Sequence, residues 1–252
     1  MRKLAILPAA LVAALALAPV AGAQSSTYDI TASTSPAKAG SKKRPVPVSV
    51  TFGAKAQGEG RPSTSSRFAV TFGGVRVNVR GFKTCSVASI NAAQSDNGCS
   101  SAARMGTGKV VNLVGASTDQ NDTSISCTLN VRIYNGGGGT AAIFLQGGPA
   151  VPGAPCPVQV NQALNGALRN TSSGLQLSFD IPANLMHPIT GLNQGIYELN
   201  ATLSKKTARV RGKRVHLFES VGGCRGGKRQ VVLNLTAEAG GSSTSRGTAR
   251  CS

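Results

Sequence analysis

The chain has 252 residues and a formal charge of +18, with 27 lysines and arginines against 9 acidic residues, two histidines, three tyrosines and no tryptophan. Two imidazoles leave little from which to build a nucleophilic triad, and so few aromatic rings leave little on which to stack sugars or read RNA bases. The charge points to anionic partners such as wall polymers, lipid head groups or extracellular nucleic acid, although a high net charge also simply keeps an exported protein dispersed.

Arg2 and Lys3 precede an apolar run over residues 4–20, and Ala21-Gly22-Ala23 follow. A positive start, an apolar stretch and small residues for the peptidase are the layout of a signal peptide, with cleavage expected after Ala23. The run is interrupted at Pro8, ends at Pro19 and falls short of the about 20 residues of a spanning helix, so a retained anchor is disfavoured. No cysteine follows the small residues, and no later stretch is long and apolar enough to cross a bilayer. The mature chain is therefore expected outside the cell, secreted or associated with the envelope. Removing 23 of the 252 residues leaves 229 and a charge of +16, because Arg2 and Lys3 leave with the leader. All-β sandwiches and barrels use such a length as one domain.

Residues 24–45 are rich in Ser, Thr, Ala and Lys, and Tyr28 and Ile30 offer a first strand. Beyond them, alternation of period 2 dominates. Val46, Val48, Val50 and Phe52 share one face, with Pro47, Ser49 and Thr51 on the other. Phe68, Val70 and Phe72 repeat the pattern, as do Val75, Val77 and Val79, whose neighbours Arg76, Asn78 and Arg80 would face solvent. Residues 86–93 read instead as a short helical turn, with Ser86 as cap and Val87 and Ile90 at helical offset. Ile125, Cys127, Leu129, Val131 and Ile133 form the longest alternating series, running through Asn135-Gly136 into a four-glycine turn and an apolar stretch over 141–145, which predicts a hairpin. Residues 162–168, broken by Gly166, carry a weaker helical signal. Segments 175–181, 197–203 and 231–237 complete the strands, and 240–252 reads as a flexible Gly/Ser-rich tail ending in Cys251.

Six cysteines in an exported chain predict three disulfides, and the Cys-x-x-Cys spacing of metal sites is absent. Of 15 formal pairings, proximity in sequence favours Cys85 with Cys99, Cys127 with Cys156, and Cys224 with Cys251. The first would bracket the helical turn and contribute on the order of 3 kcal/mol by loop closure.

Cys85-Ser86, Gly98-Cys99 and Met105-Gly106-Thr107-Gly108, with Leu185-Met186-His187-Pro188 and Phe218-Glu219-Ser220 further on, resemble a recurring pattern in a family of exported actinobacterial β-rich proteins without known activity. The resemblance spans about residues 46–237. In that family a proline often follows the second cysteine of the loop, whereas Ser100 stands here, so the loop is expected to differ locally. The resemblance implies export and a β fold and carries no activity.

Catalytic signals are weak. His187 precedes Pro188 in a loop and His216 lies between Val215 and Leu217 in a strand, both read as surface or packing residues, and no Gly-x-Ser-x-Gly elbow occurs. Asp29, Glu59, Asp96, Asp119, Asp122, Asp180, Glu198, Glu219 and Glu238 could form a glycosidase pair only if the fold brought two together. Gly222, Gly227 and Lys228 have phosphate-loop spacing, but Arg229 replaces the required hydroxyl and a strand follows, so that reading fails. Asp119, Asn121 and Asp122 look like a turn, with calcium binding a remote alternative. No metal and no cofactor is expected. Asn121, Asn170, Asn200 and Asn234 head Asn-x-Ser/Thr sites that matter only in a glycosylating host.

One cluster rises above this background: Lys205, Lys206, Arg209, Arg211, Lys213 and Arg214, followed by Arg225, Lys228 and Arg229. On a continued strand Lys205, Arg209, Arg211 and Lys213 share a face, whereas a turn at Gly212 gathers the charges at a hairpin tip. Either geometry makes an anion-attracting patch, and the alternative role is protection of a strand edge.

The expected architecture is all-β, an antiparallel β-sandwich of immunoglobulin-like or jelly-roll type with one short disulfide-bracketed helical turn, with residues 46–239 as its single domain. The expected function is non-enzymatic binding of anionic cell-wall or surface polymers through the basic patch, with no specific nucleic acid recognised. A secreted carboxylate-based hydrolase and a passive structural or adhesion module are the alternatives.

Overall fold

The computed structural model describes residues 26–252, so the expected leader and its cleavage after Ala23 lie outside the described residues. In chain order the elements are β1 (Tyr28–Ser35), β2 (Val46–Pro47), β3 (Ser49–Ala56), β4 (Ser65–Gly73), β5 (Val75–Val77), α1 (Val87–Ala93), β6 (Arg104–Ala116), β7 (Ile125–Gly137), β8 (Thr140–Gly147), β9 (Val160–Asn170), β10 (Gly174–Asp180), α2 (Ala183–Met186), β11 (Leu192–Leu203), β12 (Thr207–Val210), β13 (Lys213–His216), β14 (Phe218–Ser220), β15 (Lys228–Ala237) and β16 (Ser242–Arg250).

Eleven strands form one antiparallel sheet in the order β1-β3-β11-β6-β7-β8-β9-β10-β4-β15-β16. Its two edges meet. The Tyr28 backbone N–H donates to Ser245 Oγ at 2.9 Å, and a Cβ at Gly247 would lie 2.6 Å from the Ile30 carbonyl oxygen. The sequence reading expects two stacked sheets; the structure has one sheet rolled into a nearly closed barrel. Periodicity identifies the buried rows correctly but does not specify whether they meet across two sheets or across the lumen of one.

Inside, Phe52 meets Phe68 and Phe72 edge-to-face at 6.5 and 5.8 Å, and Phe68 stacks on Phe179 at 5.0 Å. The ends of β1, β4, β7, β9, β11 and β16 lie at one end of the barrel, the foot, and those of β3, β6, β8, β10 and β15 at the other, the mouth. A three-stranded sheet, β2-β14-β5, plugs the foot with the buried side chains of Val48, Val75, Leu217 and Phe218. The Asn170 carboxamide ties the barrel to this plug, accepting from the Val77 N–H at 2.8 Å and donating to its carbonyl at 2.9 Å.

The hairpin at the four glycines forms as expected, with Gly137 opposite Thr140. Ser86 caps α1, its Oγ accepting from the Ser89 N–H at 3.1 Å, and Ile90 is buried beneath the helix. All three disulfides join the expected partners.

Four local expectations change. Residues 162–168 are strand, not helix: Leu164 and Leu168 point inward on β9, and Gly166 between them faces the tips of Ile143 and Leu177. The segment read as a flexible tail contains β16, which pairs with β15 along its whole length and turns the small side chains of Ser245 and Ala249 inward. A bulge between Ile196 and Glu198 puts Ile196 on the lumen wall, while Tyr197 lies under the Lys55 ammonium, 5.7 Å from its ring centre. Arg76 does more than face water: its side chain stays 41% exposed, yet its Nε pairs with buried Glu219, because β5 belongs to the plug. Among the described residues, no helix is long and apolar enough to cross a membrane.

Candidate functional site

The basic cluster takes the hairpin form. β12 and β13 pair with Arg209 opposite Arg214 and Val210 opposite Lys213, leaving Arg211 and Gly212 as a two-residue turn with φ of +48° and +76°. Such turns match the twist of the flanking strands, and glycine suits them, but Arg211 holds a side chain where side chains seldom sit. The hairpin lies against the loop before α1, with Val210 Cγ2 seated so close on Gly81 that a Cβ there would be 2.2 Å away. Arg209 and Arg214 face each other across the ladder, an arrangement that repels unless an anion intervenes.

The same end of the barrel carries the later cations of the sequence cluster and, from the segment between β1 and β2, others that the sequence does not group with it. Arg225 and Lys228 exchange backbone hydrogen bonds of 2.9 and 3.1 Å around Gly226-Gly227, making a second tight turn beside the Cys224–Cys251 bridge. Lys38, Lys42, Lys43 and Arg44 lie between β1 and β2, in a segment held to the foot because the Ala39 N–H donates to the Ser252 carbonyl at 2.6 Å and the Ser252 N–H to the Ala37 carbonyl at 2.9 Å. The run 42–44 is visible in the sequence; its placement at the same end as the hairpin depends on the barrel. Among the described residues, the only carboxylate paired with a foot cation is that of Glu219, 2.7 Å from Arg76 Nε.

Two members of the sequence cluster are structural. Lys206 donates from Nζ to the Ser101 carbonyl at 2.6 Å, and burial, with Arg104 nearby, lowers its pKa. Arg229 is only 1% exposed. Its Nη2 donates to Ser220 Oγ at 2.8 Å and reaches the Lys38 carbonyl at 3.5 Å, while Nε and Nη1 have no partner, and burial lowers its pKa. Lys205, Arg209, Arg211, Lys213, Arg214, Arg225 and Lys228 remain exposed.

No family model, curated protein or solved structure matches the chain.

The acidic side chains other than Glu59, which is exposed, are engaged individually. Asp180 pairs with Arg67 at 2.6 Å, and Asp96 with Arg132 and the buried Tyr134 hydroxyl, whose pKa is pushed up to about 12 by burial first and Asp96 second. Asp122 accepts the Ala116 and Ser124 N–H groups at 2.6 and 3.0 Å, which hold its carboxyl at about 2, and Asp119 accepts the Asn121 N–H at 2.8 Å. That turn spends its oxygens on backbone, and Arg61 stands beside it. Asp29 accepts from Gln57 and Glu198 from Asn200. At the mouth, His187 Nε2 lies 2.7 Å from Glu238 Oε1 and its Nδ1 lies 2.9 Å from Asn193 Oδ1; the bond to Glu238 raises its pKa most. His216 sits within the basic hairpin, its Nδ1 3.0 Å from Thr207 Oγ1.

Proposed function

We propose that the protein is an exported, non-enzymatic module whose foot docks on anionic polymers of the cell envelope. The observation that carries this reading is the Arg209–Arg214 hairpin, exposed, at the end of the barrel that holds further cations, and among the described residues without a carboxylate partner. The three disulfides suit life in an oxidising compartment. Edge protection accounts for scattered lysines on a strand, but not for two arginines placed opposite one another. The hydrolase alternative draws no support from the mouth cavity, whose lining holds no carboxylate.

The test is binding to purified cell wall and to polyphosphate across a salt series. Affinity should fall steeply with salt, and the combined Arg209→Ser, Arg211→Ser, Lys213→Ser and Arg214→Ser variant should lower the slope of log K against log salt by roughly three. A Lys55→Ser, Lys109→Ser control, outside the foot, should change it far less. Salt-insensitive binding, or equal losses in the two variants, would reject the proposal.

A further inference from the structure

At the mouth, the wall of the barrel parts. β9 and β10 pair only between Gly166–Asn170 and Leu175–Phe179, while β9 continues outward to Val160 without β10 beside it. The Asn91 carboxamide of α1 takes over part of that bare edge, accepting the Ala163 N–H at 2.7 Å and donating to the Ala163 carbonyl at 3.1 Å. α2 sits in the gap, held by a bond of 2.9 Å from Asn184 Nδ2 to Gln162 Oε1, with Leu185 buried beneath it.

Two cavities meet there. The outer one, about 600 Å³, is lined by apolar side chains, the Cys127–Cys156 bridge and several carboxamides, with no charged residue. That volume is in the usual range of small-molecule sites. The inner one, about 90 Å³, lies in the lumen and has only two polar side chains in its lining, Asn112 and Gln194. Leu129, Leu185 and Gln194 line both, and so form the partition between them.

Asn112 is the informative residue. It stands in the inward row of β6 between Val110 and Val114, 2% exposed, and no described residue hydrogen-bonds its carboxamide. Asn161, half-buried, lines the outer cavity, and its Oδ1 is buried without a partner. Buried carboxamides without partners are uncommon, because each loses its water and gains nothing in return. Here Asn112 adjoins the inner space and Asn161 the outer one that connects with it.

We propose that this mouth is a binding site for an uncharged amphiphile, a slender aliphatic chain bearing a hydroxyl or carbonyl group that reaches Asn112 past Leu185. A carboxylate is excluded by the lining, since neither cavity offers a cation to replace its hydration. A purely apolar chain would leave Asn112 unpaired. The site is independent of the foot, being built from other strand ends and from neutral side chains.

Titration calorimetry of the full chain with 1-octanol and with octanoate tests the assignment. Octanol should bind and octanoate should bind at least tenfold more weakly. Asn112→Leu should cost octanol roughly tenfold in affinity, because a site made to hydrogen-bond a hydroxyl loses that discrimination when the partner is removed. Leu185→Trp, at the partition, should block binding of octanol altogether and carries the test if the first variant fails to fold. Equal affinity for alcohol and carboxylate, full octanol affinity in both variants, or no octanol binding to the unaltered chain would each overturn the assignment; water alone at Asn112 gives the last of these results.

Discussion

The foot and the mouth terminate the same eleven strands, yet each handles charge in its own way. At the mouth, charged groups find local partners: Arg67 pairs with Asp180 and His187 with Glu238, while Arg61 donates to the carbonyls of Ala116 and Asp122 at 2.9 and 3.0 Å with the Asp122 and Asp119 carboxylates nearby. At the foot, Arg209, Arg211, Lys213 and Arg214 crowd one hairpin without acids. The same contrast holds in the interior. Arg61 and Arg229 are both buried, but Arg61 donates to two carbonyls near Asp122, whereas Arg229 keeps two nitrogens unpaired. Net charge is thus a property of one end, and a polyanion that captures the foot leaves the mouth pointing away from it.

The largest test of this contrast uses the disulfides. Cys127–Cys156 at the mouth and Cys224–Cys251 at the foot close loops of 29 and 27 residues, so replacing either pair with alanine should lower stability by about 3–4 kcal/mol in urea unfolding. The functional losses should separate: the first change should weaken octanol binding and the second polyanion binding, and identical functional losses would mean that the ends are not independent.

A smaller effect separates the two buried arginines. Arg61→Met removes two bonds and strands the Asp122 carbonyl, and should destabilise by about 1–3 kcal/mol. Arg229→Met removes two unpaired donors and should leave the unfolding midpoint unchanged or raise it, since a buried charge without a counter-ion often gives way to an apolar side chain without loss. A large loss at Arg229 would mean that its bond to Ser220 outweighs those orphan groups.

The smallest effect belongs to His187. Its pKa is raised by the bond to Glu238, so the stability this pair contributes is fully present below the ordinary histidine value and is lost as pH rises through the raised one. The midpoint should decline slightly with rising pH in that window, and His187→Gln should flatten the decline. An unchanged slope in the variant would remove the pair from the mouth's local neutralisation.

Much of the fold was legible because each buried row advertises itself in steps of two. The same rule would have placed Arg229 inside: it shares a face with Val231, Leu233 and Leu235, and only its charge suggested otherwise. β16 was hidden because a strand that covers a seam needs small inward residues, and Ser, Thr and Gly look like linker composition. The placement of Lys42, Lys43 and Arg44 at the same end as the hairpin was not readable, since it depends on barrel closure and on the bonds between the Ala39 and Ser252 backbones. Asn112 lay in plain view as the one polar residue in the inward row from Val110 to Val114, but its significance required knowing that space adjoins it.

The seam joins Tyr28 to Ser245 across 217 residues. A chain synthesised amino end first therefore displays the bare rim of β1 until nearly everything else has been made, and pairings this remote are slow to form. Until β16 arrives the sheet is an open gutter with two unpaired rims, each able to recruit a strand from a neighbouring chain. Polypeptides cut short before residue 242 should stay in that state and accumulate as aggregates.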